Sequence, residues 1–156
     1  MTPESLRALL SSVARGERDV EGALLDLADL PFRDLGFARV DHHRHVRRGA
    51  PEVVLGQGKT APQIAAILNE LVRSGASILC TRVDAAKAEE VLAAVPGAKH
   101  LPEARAIVAN EQPFVDRGRG VVLVVSAGTS DLPVAEEAAL TASLMGSRVE
   151  RIHDVG

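Results

Sequence analysis

Six small or acidic residues, Ser126-Ala127-Gly128-Thr129-Ser130-Asp131, lie between the apolar run Val121–Val125 and a helical pattern opened by Pro133. Such a loop leaves the carboxyl end of a strand and enters a helix amino terminus. Free backbone amides and the helix dipole attract anions there. The hydroxyls of Ser126, Thr129 and Ser130 can donate to phosphate oxygens, Gly128 lets a ligand approach the backbone, and Asp131 can accept from a ribose hydroxyl. The chemistry on offer is the seating of a nucleotide phosphate at the edge of a parallel sheet. The plain alternative is a well-capped turn with no ligand, in which Ser130 or Asp131 satisfies the first-turn amides. Further on, Arg148–Ile152 reads as a second strand followed by His153 and Asp154. If the two strands are neighbours, Asp154 comes beside the loop. His153 could act as a general base, although a histidine at a strand end is more often simply exposed.

Three other groups could carry chemistry. Asp41-His42-His43-Arg44-His45-Val46-Arg47-Arg48 invites a metal reading, but the spacing is poor and no second ligand pair lies nearby in sequence. The alternatives are a solvated basic turn and an anion-binding surface built from Arg44, Arg47, Lys59 and Thr60, since arginine forks suit phosphate and carboxylate. Gly56-Gln57-Gly58-Lys59-Thr60 resembles the tail of a phosphate-binding loop. That motif needs a glycine where Val53 stands, so an NTPase is excluded. Thr60 with Gln63 instead makes a capping box for the next helix. The lone Cys80 lies in the apolar run Ser77–Val83, where a thiol is a core residue and a poor nucleophile.

These groups need elements to hold them. Thr2–Glu4 opens an amphipathic helix ended by Gly16, and Asp19 caps a second. Phe37–Val40 reads as a strand. Pro51–Gly56 gives a short strand, Pro62–Arg73 a helix, Ser77–Val83 a buried strand and Asp84 a helix cap. Residues 98–101 and 104–109 give two more short strands. The block 53–109 is therefore expected to be βαβαβ-like. Gln112–Gly120 is the best internal boundary. Val121–Val125 has the pattern of a strand buried on both faces. Val134, Ala138, Ala142 and Met145 recur at helical spacing, and Gly146 stops the helix. The fold class expected is α/β: an N-terminal helical segment, a βαβ-type block, and the first strand–loop–helix–strand of a Rossmann-like domain. The division expected is 1–115, with a helical appendage over 1–30, and 116–156.

Composition narrows the function. At 156 residues and 46% apolar content the chain can bury a core. A formal charge of −3 and only three aromatics, Phe32, Phe37 and Phe114, argue against a nucleic-acid partner. No apolar run reaches membrane-spanning length and the amino terminus lacks a signal-peptide pattern, so no membrane partner and a cytoplasmic location are expected.

The stretches SAGTSD, PVAEEAALTA and RVERIHDVG, with DHHRHVRRGAPEVVLGQGKT upstream, resemble the pyridinium-3,5-biscarboxylic acid mononucleotide synthase of nickel-pincer cofactor biosynthesis. That family carries a domain similar to aminoimidazole ribonucleotide carboxylase/mutase. The resemblance covers essentially the whole chain and stops where the family's second half should begin. It implies carboxylation of nicotinic acid adenine dinucleotide by carbon dioxide, then phosphoanhydride hydrolysis, with Ser126–Asp131 and Asp154 on the substrate. It implies a cysteine nucleophile in the second half, which Cys80 does not match, so no catalytic residue is carried over and the chain is expected to be inactive alone. No tightly bound cofactor is implied beyond magnesium at the substrate phosphates. A homo-oligomer is implied for the full-length protein. The competing class is a non-catalytic nucleotide-binding or assembly module.

Overall fold

The computed structural model describes residues 3–28, 33–40, 51–73 and 75–156. The basic stretch Asp41–Arg48, with Arg44 and Arg47, lies outside the described residues.

Two helices lead, α1 (Pro3–Ala14) and α2 (Val20–Ala28). The Asp19 carboxylate accepts from the Gly22 amide at 2.8 Å, as a cap should. Leu24 and Leu25 stay more than half exposed, so the pair buries little of its apolar surface. Two short strands, β1 (Arg33–Asp34) and β2 (Arg39–Val40), pair antiparallel.

The main sheet holds β3 (Glu52–Leu55), β4 (Ile78–Thr81), β5 (Lys99–Leu101) and β6 (Ala106–Ala109) in the order β3-β4-β6-β5. Helix α3 (Ala61–Val72) crosses from β3 to β4, which pair parallel. Its start is the expected capping box: Thr60 Oγ1 accepts from the Gln63 amide and Gln63 Oε1 from the Thr60 amide. Helix α4 (Ala85–Ala94) follows β4, its Asp84 cap accepting from the Lys87 amide at 2.9 Å.

The expected βαβαβ-like order is present, with one strand more than it requires. β6 runs antiparallel to both β4 and β5 and sits between them. Only four residues, Pro102–Arg105, join β5 to β6. They close as a tight turn, the Arg105 amide donating to Pro102 O at 3.1 Å. A parallel return needs a crossover of about a dozen residues or more, so this short link imposes a hairpin. The result is a split unit in which β4, α4 and β5 bracket an inserted strand.

The central strands β4 and β6 are buried on both faces. On one, Val54, Ile78, Cys80, Ile107 and Ala109 pack against Ile64 and Leu68 of α3 and Val91 of α4. On the other, Leu79, Ala106 and Val108 meet Leu140 and Leu144. Those two leucines belong to α5 (Leu132–Leu144), the crossover between β7 (Val121–Val125) and β8 (Arg148–Ile152). Each fully buried Leu or Ile contributes about 1.5–3 kcal/mol over an exposed one.

Two expectations change in this second unit. The stripe Val134, Ala138, Ala142, Met145 is not the buried face of α5; Val134 is 72% exposed, while Ala135 and Ala139 are buried. The helix is apolar nearly all round, so spacing alone could not select the face. Strand β7 is not buried on both faces either: Val121, Leu123 and Val125 are each about half exposed. Among the described residues it pairs only with β8, in a two-stranded sheet. Gly146 does stop α5, at φ +88°, and a Cβ there would stand 2.6 Å from the Val115 carbonyl oxygen.

Candidate phosphate seat

β7 and β8 run parallel in the register Val121↔Arg148 through Val125↔Ile152. The ladder continues into the loop: the Ser126 amide donates to Ile152 O at 3.0 Å, and the Val155 amide to Ser126 O at 3.4 Å. The strands are thus neighbours, and Asp154, at φ +62°, lies beside the loop.

The amides of the loop divide into two sets. The Asp131 amide donates to Gly128 O, and Leu132 to Thr129 O; Val134 and Ala135 both donate to Asp131 O. Pro133 has no amide hydrogen. The first turn of α5 is therefore satisfied by backbone, and the capping role expected of Ser130 or Asp131 is not filled by a side chain. Asp131 occupies the cap position but reaches back, its Oδ2 accepting from the Gly128 amide at 3.2 Å. The other set is open. Among the described residues, the amides of Ala127, Thr129 and Ser130 and the hydroxyls of Thr129 and Ser130 meet no protein acceptor or donor. Residues 127–131 are exposed, so nothing roofs them. Unpaired backbone amides and hydroxyls in such a loop are the donors an anion needs.

Behind the loop stands a polar chain that sequence reading did not find. Ser126, itself buried, places Oγ 2.8 Å from His153 Nδ1. His153 Nε2 is 3.1 Å from Glu136 Oε1, and Arg151 Nε donates to Glu136 Oε2 at 3.1 Å. Glu136 side-chain exposure is only 15%. The available signal was its place in the second turn of α5, facing the sheet edge where β8 delivers His153. Its neighbour Glu137 points elsewhere, 4.0 Å from Arg82 Nε.

The other sequence candidates are dispersed. The Thr60 amide and hydroxyl are engaged by Gln63. Lys59 is half-buried and acts on Cys80: with Lys87 it pulls the thiol down, but burial dominates and pushes it up to about 11. Among the described residues no group of three or more His, Cys, Asp or Glu is placed to hold a metal ion. No described helix is long and apolar enough to cross a membrane.

Comparison with known proteins gives the family, through residues that precede this loop. The family model described as "LarB/PurE-like N-terminal domain" matches residues 32–112. An uncharacterized protein of Methanocaldococcus jannaschii, MJ0165, is 32% identical over 123 residues. Those residues are 76% of this chain and 48% of that protein, so the chain spans about half the length of the curated relative it matches.

Proposed function

This chain belongs to the family marked by the LarB/PurE-like N-terminal domain, and from that premise we propose that it supplies the phosphate-binding part of a pyridine-dinucleotide carboxylase. The substrate on this reading is nicotinic acid adenine dinucleotide, carboxylated by carbon dioxide and then cleaved to pyridinium-3,5-biscarboxylic acid mononucleotide and AMP, on the way to a nickel-pincer cofactor. The observation that carries it is the open set of donors: the amides of Ala127, Thr129 and Ser130 beside the hydroxyls of Thr129 and Ser130. Phosphate oxygens would take these donors, and Asp131 and Asp154 would meet ribose hydroxyls. Magnesium, where it accompanies the substrate, would ride on the phosphates.

The residues here bind and orient; they do not attack. A pyridinium ring and carbon dioxide are both electrophiles, so the ring needs a nucleophile added before it can react. Cys80 is fully buried with its thiol raised to about 11, which leaves almost no thiolate at neutral pH. The nucleophile belongs to another part of a longer protein, and the 156-residue chain is inactive alone on this reading. The half-exposed apolar residues of β7 supply the surface on which further strands, or further copies, would complete the sheet.

Calorimetric titration of the chain with nicotinic acid adenine dinucleotide, AMP and NAD tests the proposal. Binding that weakens about tenfold or more in Thr129→Ala and in Asp131→Ala supports it, a loss of about 1.4 kcal/mol or more. Absence of binding to all three, together with concentration-dependent self-association, would favour a pure assembly module.

A further inference from the structure

Glu136 accepts twice, from Arg151 Nε and from His153 Nε2, each at 3.1 Å. An ionised carboxylate has no proton to give, so Nε2 carries the hydrogen. With the hydrogen on Nε2, Nδ1 is a bare acceptor whenever the ring is neutral. Nδ1 stands 2.8 Å from Ser126 Oγ. In the neutral state the single hydroxyl proton of Ser126 is therefore spent on His153, and the oxygen offers only lone pairs to the loop. When His153 takes a proton from solvent the bond reverses. Nδ1–H donates, Ser126 Oγ accepts, and the hydroxyl proton is released toward whatever occupies the seat.

We propose that Arg151, Glu136, His153 and Ser126 form a proton-linked positioning chain for the phosphate seat, in which protonated His153 turns Ser126 into a donor for an anionic oxygen. The inference rests on the reading of Ser126–Asp131 as a phosphate seat. The protonated ring also places a positive charge at the rim of that seat. The other titratable and charged groups beside His153 are Glu136 from α5, Arg151 from β8 and Asp154 next in the chain. β7 contributes none, being Val121 to Val125. Arg151 Nε donates to Glu136 Oε2 at 3.1 Å and so fixes the carboxylate against the ring. Anion affinity is thus higher with the ring protonated than with it neutral. His153 is a positioning residue here: it acts on the ligand through Ser126.

The probe is sulfate, which keeps its charge across the range where phosphate would change its own. Sulfate binding to the 156-residue chain is followed by amide NMR shifts at about pH 5.5 and about pH 8, on either side of the histidine range. The expected result is about fivefold or more tighter binding at the lower pH, a dependence that shrinks below about twofold in His153→Gln. Glu136→Gln, which removes the carboxylate partner of the imidazolium, moves the dependence to lower pH. Asp131→Asn leaves it in place. Nitrogen NMR of the neutral ring should show the hydrogen on Nε2. Flat wild-type binding, an unchanged dependence in His153→Gln, or a hydrogen on Nδ1 overturns the positioning chain. No sulfate binding at either pH overturns the phosphate seat itself.

Discussion

Raising the pH from 9 to 11 should remove a measurable part of this protein's stability through one thiol. Burial lifts the Cys80 pKa from 9.0 to about 11, against a smaller downward pull from Lys59 and Lys87. The folded state therefore holds the thiol proton more tightly than the unfolded chain does. The stabilisation is whole below pH 9 and fades as pH climbs through 11, because the unfolded chain there has already released the proton. Two pKa units at about 1.4 kcal/mol each come to about 2.7 kcal/mol. The sequence has no tyrosine to titrate in this window, and comparison with Cys80→Ala subtracts the common contribution of its three lysines, Lys59, Lys87 and Lys99. Urea unfolding followed by far-ultraviolet circular dichroism, at pH 8.5, 10 and 11, measures the loss; without tryptophan or tyrosine, fluorescence has no strong reporter. Cys80→Ala lowers stability at pH 8.5 by its cavity but should lose the alkaline slope. Parallel slopes in the two proteins would refute the reasoning. So would rapid modification of Cys80 by a thiol reagent at pH 8 without urea, which would make it a candidate nucleophile after all.

Two contrasts test the packing and the caps. Leu79→Ala, at a site with no exposure, should cost about 2–5 kcal/mol, whereas Leu123→Ala, about half exposed, should cost under about 1 kcal/mol in this chain; equal costs in urea unfolding would mean that β7 is covered in solution. Thr60→Ala removes one half of the capping box of α3 and should cost about 1 kcal/mol with no effect on anion binding. A loss of anion affinity in that variant would move the binding surface to Lys59 and Thr60.

Where local chemistry decides the backbone, the residues announced it. Thr60 with Gln63, Asp84 before Lys87, and Gly146 after α5 each satisfy or end a helix by their own side chain or φ, and they sit where the pattern placed them. The β7–α5–β8 unit was legible for the same reason. What the residues did not announce is what tertiary contacts choose. β6 slips between β4 and β5 because Pro102–Arg105 is too short to cross over, a constraint visible only once the two strands have firm ends. α5 turns Ala135 and Ala139 inward because it lies between two sheets, and a helix apolar all round carries no periodic signal of that. In the site, the loop residues were legible as a type of sequence, but the division between satisfied and open amides was not. It depends on Asp131 folding back to Gly128 instead of capping α5. Glu136 was hidden because its partners, Arg151 and His153, lie 15 and 17 residues further along the chain.

The most direct measurement is the backbone amide spectrum of the chain during titration with AMP. Shifts concentrated at Ala127, Thr129 and Ser130, with Leu132, Val134 and Ala135 moving less, are what an open loop ahead of a self-satisfied helix predicts. Saturating shifts confined to other residues, or none at millimolar AMP, would contradict a phosphate seat at this loop.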